Sequence, residues 1–195
     1  MSALAILDLG YGNTESIRLA FARLGAEAIL TSDPEEAEAA EHLVLPGVGA
    51  AGFAMERLRD CGLVDSLRHR TKPLLGICLG MQLMFDRSEE GGVDCLGLLP
   101  GEVRALTPAA GFPVPHMGWS RLESCGPALG IANDDYAFFA HGLMCSNGPA
   151  TAASVRYGDA VIPAVIRSAN LWGAQFHPER SSGAGSRFLQ AFLGA

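Results

Sequence analysis

Cys78 stands in "LLGICLGMQ" (74–82), with Gly76 two residues before it and Gly80 two residues after it. A buried structural thiol needs no such bracket. A thiol on a sharp strand-to-helix turn does, because strand and helix approach closely there and the flanking positions must be small. G-x-C-x-G is this elbow with cysteine as the nucleophile, and its place at the end of an apolar strand is where open α/β sheets put their sites. The elbow sets the sulfur at a helix N-terminus and aims the Leu79 N–H at the spot where an oxyanion would form. A helix end is worth about 0.3–1 kcal/mol, ~2 when well placed, and one pKa unit is about 1.36 kcal/mol. Such a turn therefore lowers a thiol by about one unit at most, and the chemistry still needs a base. The competing reading of Cys78 is a packed core thiol.

Five histidines could supply the base: His42, His69, His116, His141 and His177. His42 opens a strand and His69 lies among arginines, so both read as structural. His177 directly follows the β-prone run "LWGAQF" and sits in "FHPERSS". Pro178 biases it towards extended backbone, and Glu179 is close enough to bond the imidazole, fix its tautomer and support the imidazolium. Cys78, His177 and Glu179 make a plausible triad, against a plain reading of His-Pro-Glu as an exposed turn.

A second glycine-rich stretch, "LPGVGAAG" (45–52), fits G-x-G-x-x-G, the pattern of a dinucleotide loop. Pro46 breaks the strand-to-turn junction, the loop follows the third strand rather than the first, and Lys72 stands where an acid is expected. The first loop, "GYGNTE", has Glu15 in place of the third glycine. The Gly47–Gly49 loop is better used as a second oxyanion donor beside the elbow, since glycines let a peptide rotate; its plain alternative is an ordinary turn.

The elements that must position these residues follow from periodicity. Of 195 residues, 49% are hydrophobic and 18% charged, a globular composition with a formal charge of -7. No basic cluster is present, which argues against nucleic acid as a partner. No apolar run approaches the roughly 18 residues of a membrane span, and the start does not read as a signal peptide. Five cysteines without CxxC spacing argue against a disulfide framework or a zinc site, and for a reducing cytoplasm.

Strands are expected over 3–8, 27–31, 42–45 and 73–77, and helices over 14–24, 34–40, 51–70 with a break near Gly62, and 79–85. Alternating strand and helix predicts an α/β fold, a mostly parallel central sheet with helices on both faces. From 93 to 176 the segments are short, β-prone and divided by Gly, Pro and Asn, which predicts antiparallel strands flanking that core. Ser181 or Ser182 can cap a last helix over 186–192. No repeat or linker divides the chain, so residues 1–195 are expected to form one domain.

With these pieces in place, the chain resembles the class I (triad-type) glutamine amidotransferases, and within them it is similar to the glutaminase subunits of imidazole glycerol phosphate synthase from histidine biosynthesis. The resemblance covers essentially the whole chain. It rests on "DLGYGNTES" (8–16), "LPGVGA" (45–50), "LLGICLGMQLMF" (74–85), "SEEGG" (88–92), "LGLLPGEV" (96–103), "PVPHMGW" (113–119) and "GAQFHPERSS" (173–182).

The resemblance implies a flavodoxin-like fold, no cofactor and no metal, and a role for each matching residue. Cys78 would attack the side-chain amide of glutamine and form a thioester. His177 would protonate the departing ammonia and then activate water, oriented by Glu179. Leu79 N–H and the Val48–Gly49 peptide would form the oxyanion hole, the loop peptide turning in when the partner's site is occupied. Gln82, Glu90, His141, Gly142 and Leu143 would hold the substrate. The implied partner is a (β/α)8-barrel cyclase, joined as a heterodimer, which receives the ammonia through an internal passage.

Two departures stand out. "HGLM" (141–144) replaces the usual His-Ser-Tyr-Tyr, and Arg180 replaces a common lysine. Two other readings are a cysteine hydrolase of the same fold, whose members usually carry the histidine directly after the nucleophile, where Leu79 stands here, and a nucleotide-binding module using Gly47–Gly52.

Overall fold

The computed structural model describes residues 4–123 and 125–195. In chain order the strands are β1 (Leu4–Leu7), β2 (Ala28–Thr31), β3 (His42–Leu45), β4 (Leu74–Ile77), β5 (Arg87–Ser88), β6 (Val93–Asp94), β7 (Glu102–Ala105), β8 (His116–Glu123), β9 (Tyr136–His141), β10 (Leu143–Cys145), β11 (Thr151–Tyr157), β12 (Ala160–Ser168) and β13 (Leu171–Ala174). The helices are α1 (Thr14–Arg23), α2 (Pro34–Ala39), α3 (Ala51–Asp60), α4 (Leu63–His69), α5 (Leu79–Gln82) and α6 (Ser182–Leu193). The first expected strand began at residue 3, which lies outside the described residues.

One nine-stranded sheet runs β2-β1-β3-β4-β13-β12-β11-β8-β9, and a four-stranded sheet runs β10-β7-β5-β6. Strands β2, β1, β3, β4 and β13 pair in parallel; β13, β12, β11, β8 and β9 pair antiparallel. Of the second-half strands, β12, β11, β8 and β9 thus extend the parallel block antiparallel in the same sheet, while β6, β7 and β10 join the four-stranded sheet. Two of the strands expected to be antiparallel pair in parallel: β7 with β5, and β13, which inserts beside β4 and carries the chain to His177.

The sheet is covered on both faces, and β1 shows it residue by residue. Leu4 and Ile6 enter one core with Ile17 and Phe21 of α1 and Phe188 and Phe192 of α6. Ala5 and Leu7 enter the other with Ala37 of α2, Met55 and Leu58 of α3, and Leu63 and Leu67 of α4. A period of two in the strand and a continuous apolar run are what two-sided burial demands. The break at Gly62 is real: its φ of 68° separates α3 from α4.

Two helices differ from expectation. The helix after the elbow stops at Gln82 instead of reaching Phe85. After Leu83 the bonds tighten by one residue, Met84 N–H donating to Met81 O at 3.1 Å and Phe85 N–H to Gln82 O at 3.2 Å, while Leu83 O and Met84 O accept from the returning loop at Leu96 N–H (2.9 Å) and Leu98 N–H (2.8 Å). The last helix starts at Ser182, four residues earlier than its apolar pattern shows. Ser181 stands at its cap position without a side-chain cap bond. Its hydroxyl donates to His177 O at 2.7 Å and accepts from Phe138 N–H at 2.9 Å, tying the His-Pro-Glu turn to β9.

Candidate active site

The site lies at the carboxyl ends of β4 and β13. Gly76 pairs with Gly173 and Ile77 with Ala174, so Cys78 and His177 leave neighbouring parallel strands at the same edge, although 98 residues separate them in the chain. Cys78 has φ 54° and ψ −110°, a backbone conformation that costs an L residue of order 1–3 kcal/mol and that its surroundings enforce. A Cβ on Gly80 would meet Leu45 O, and one on Gly76 would come within 2.6 Å of the Gly80 backbone. The bracketing glycines are therefore a steric requirement of the turn. Gly47 belongs to the same packing: a Cβ there would lie 2.8 Å from Leu79 Cβ.

Cys78 is 6% exposed. Its thiol donates to Ala140 O at 3.9 Å and accepts from Gln175 Nε2 at 3.7 Å. His177 Nδ1 bonds Glu179 Oε1 at 2.9 Å, with the Glu179 side chain 1% exposed. That pairing leaves Nε2 for the thiol. Burial alone would lower the His177 pKa, but bonds to the Cys78 and Glu179 side chains, and their charges, raise it to about 10. The ring is thus built to hold a proton beside the Cys78 sulfur.

A cleft of about 280 Å³ opens over these groups, lined among others by Val48, Gly49, Leu79, Gln82, His141, Gly142 and Leu143 together with the triad. Leu79 holds the first position of α5, where a helix offers its N–H no internal acceptor. Gly49 has φ 87° with open space around its missing Cβ, so glycine is needed there for backbone freedom. The structure thereby brings the triad, the expected oxyanion residues and four of the five expected substrate contacts to one cleft.

Glu90 is the exception. It lines an adjoining depression with Gly142 and Leu143, and its Oε2 accepts from Ala51 N–H, at the start of α3, at 3.2 Å. The same bond weakens the dinucleotide reading, because the helix end that would receive a pyrophosphate already holds a carboxylate.

Other details refine the expected contacts. Leu143 O accepts from both Gln82 Nε2 (3.3 Å) and His141 Nδ1 (2.7 Å). Both lone pairs are used, so a contact from Leu143 to substrate would have to come from elsewhere on the residue. His141 Nε2 meets His116 Nδ1 at 3.1 Å. Among the "HGLM" residues, Met144 packs against one core and Leu143 against the other.

Asn13, Ala140 and Arg180 also line the cleft. Sequence reasoning passed over the first two and noted Arg180 only as a departure. It also missed Gln175, whose signal was present: a lone amide in the otherwise apolar run 171–176.

A thiol at a strained elbow, an imidazole held by a buried carboxylate, and a helix-start N–H next to the thiol are the parts of a cysteine-dependent acyl-transfer site. Residues 5–194 match the family described as Glutamine amidotransferase class-I, and the chain belongs to that family. Within it, "Imidazole glycerol phosphate synthase subunit HisH" of Xanthomonas campestris pv. campestris is 47% identical, covering 99% of this chain and 98% of the relative. The protein of the same name from Xylella fastidiosa is 45% identical over the same shares. Solved structures agree on the fold. One titled "Crystal structure of glutamine amidotransferase" superposes with TM-score 0.78 at 22% identity over 99% of this chain and 100% of that one. PurLQS from Thermotoga maritima gives 0.72 at 20%, over 100% and 99%.

Proposed function

We infer that this chain is the glutaminase subunit of imidazole glycerol phosphate synthase, hydrolysing glutamine and passing the ammonia to a (β/α)8-barrel cyclase. The observation that carries the reading is the convergence of Cys78, His177 and Glu179 at one sheet edge, in a chain alike over its whole length to subunits of that synthase.

The geometry supports a two-stage reaction. Cys78 sulfur attacks the amide carbon of glutamine while His177 carries the proton. The oxyanion is met by Leu79 N–H and the Val48–Gly49 peptide. His177 delivers its proton to the departing nitrogen, ammonia leaves, and a thioester remains. Water then gives a proton to His177 and attacks the thioester; the proton returns to sulfur and glutamate is released. Glutamine and water are consumed, and glutamate and ammonia formed. Glu179 keeps the ring oriented and its positive charge compensated throughout.

A subunit needs a face for its partner, and one adjoins the cleft. On the β8–β9 hairpin, Trp119 stands opposite Phe138 and Arg121 opposite Tyr136, while Met117 stands opposite Ala140. These pairs share one face of the sheet. Met117, Trp119 and Tyr136 are exposed by 66, 50 and 55%, although large apolar side chains at this density mark interaction sites. Ala140, in the same row, touches the thiol, and Arg180 lies over the Phe138 ring at 4.3 Å. A partner seated here would border the cleft itself. The described cysteines are all free, which suits work in a reducing cytoplasm, and no helix among the described residues is long and apolar enough to cross a membrane.

The test is Cys78→Ala in the reconstituted complex. Glutamine-dependent ring synthesis should vanish while the cyclase still turns over with added ammonium. Retained use of glutamine would sink the reading.

A further inference from the structure

Gln175 is completely buried at the end of β13, where a carboxamide is costly unless bonded. Its Nε2 lies 3.7 Å from Cys78 Sγ, and its Oε1 accepts from Gln82 Nε2 at 3.0 Å. Gln82 Nε2 also donates to Leu143 O at 3.3 Å. A carbonyl can only accept, so the nitrogen of Gln82 must face Leu143. Its second hydrogen then points at Gln175, which must present oxygen there and nitrogen to the sulfur. One main-chain oxygen thus settles the orientation of two amides whose shapes alone would leave it open.

The other bond to Leu143 O extends the same logic. His141 Nδ1 must donate to that carbonyl (2.7 Å), so its Nε2 accepts from His116 Nδ1 (3.1 Å), and His116 Nε2 accepts from the Ser120 hydroxyl (2.8 Å). Two neutral imidazoles satisfy this pattern with one proton at each contact, and the pair can hold at most one proton more. Burial lowers the pKa of each to about 4; for His141 it outweighs the opposing bond to Leu143.

We propose that Gln175 is a positioning residue for the nucleophile: an orientation-locked N–H donor to Cys78 sulfur, set through Gln82 by the Leu143 carbonyl. His177 removes the thiol proton from the cleft side; Gln175 holds the resulting thiolate from within the protein. The inference rests on Cys78 being the nucleophile, but it concerns the thiol itself and needs neither glutamine nor a partner. Its test can therefore fail while glutaminase activity stands, and the reverse.

The experiment is alkylation of the purified chain with iodoacetamide across pH, followed on the Cys78 peptide because Cys61 and Cys125 are also partly exposed. Gln175→Glu keeps the shape and replaces the donor with an acceptor; Gln175→Met keeps bulk and removes both. In folded protein, each should slow Cys78 alkylation at neutral pH by about five- to tenfold, the scale of one ordinary hydrogen bond. The rising limb of the pH profile should move to higher pH. Gln82→Met, which frees the Gln175 amide to turn, should slow it less, in the same direction. Thermal melting selects the folded variants, and if neither Gln175 variant folds, Gln82→Met decides alone. A purely structural role would leave the profiles superimposed on wild type, and that result overturns the proposal.

Discussion

The main-chain N–H of Cys78 donates to Ala174 O at 2.7 Å. Ala174 closes β13, three residues before His177, so this bond ties the turn at Cys78 to the segment that carries His177. The relative placement of the two side chains is a property of two adjacent strands in register, and groups placed this way hold their geometry better than groups on free loops.

Steric closure of the elbow gives the first prediction. A Cβ on Gly80 would overlap Leu45 O, a backbone atom of β3 that cannot swing away. Gly80→Ala should therefore force β3 and α5 apart and destabilise the fold by about 3 kcal/mol or more, on the scale of severe overpacking. Urea unfolding measures it. Gly148, with open space around it and no unusual φ, is the control and should change stability by less than about 0.5 kcal/mol as alanine. Equal midpoints for the two variants would contradict the steric account.

Protonation of His177 gives the second. Its pKa in the folded chain is raised to about 10 from 6.5, burial opposing and the Cys78 and Glu179 side chains prevailing. A raised pKa means that the folded state binds the proton more tightly than the unfolded one. The stabilisation is complete below about pH 6.5, declines as pH rises above it, and is gone once pH passes about 10. Over that window one such group can contribute a slope of at most about 1.4 kcal/mol per pH unit. Glu179→Gln removes the carboxylate that supports the charge, so its stability should fall less steeply between pH 6.5 and 10 than that of wild type. Chemical unfolding at four or five pH values checks this, and parallel slopes would refute it.

Much of this site was legible because its devices are local. The bracketing glycines, the Pro after His177 and the Gly47–Gly49 loop each form a short motif, although the contacts that demand Gly80 and Gly47 come from Leu45 and Leu79 elsewhere in the chain. The parallel block was legible for the same reason, through runs buried on both faces. What escaped depends on distant chain segments meeting. Glu90, given a substrate role by the resemblance, also bonds Ala51 N–H, 39 positions away, a partner no spacing reveals. The helix after the elbow ends at Gln82, where Met84 and Phe85 N–H turn to acceptors three residues back and residues 96–98 bond the Leu83 and Met84 carbonyls; local periodicity through Phe85 carries no trace of that meeting. The linkage of His116 to His141, and of Gln82 to Gln175, needs β9 and β10 to come to the edge where β4 and β13 end. The expectation of antiparallel strands over 93–176 took in β13, and only its parallel register against β4 unites His177 with Cys78.

The exposed face of the β8–β9 hairpin yields the last prediction. Trp119 packs edge-on against Phe138, with centroids 6.1 Å apart, and remains half exposed. A large aromatic that is partly anchored yet open is the type of residue that dominates a protein–protein interface, with truncation costing ~2 kcal/mol or more. Trp119→Ala should therefore weaken association with the proposed cyclase partner by about thirtyfold, and glutamine-dependent ring synthesis should require correspondingly more of that partner. Because Trp119 lies outside the cleft lining, alkylation of Cys78 in the free chain should proceed at the wild-type rate. Titration calorimetry reads the first quantity and peptide mapping the second. Wild-type affinity in the variant would move the docking face elsewhere, and slowed alkylation at wild-type affinity would mean that Trp119 supports the cleft rather than the partner.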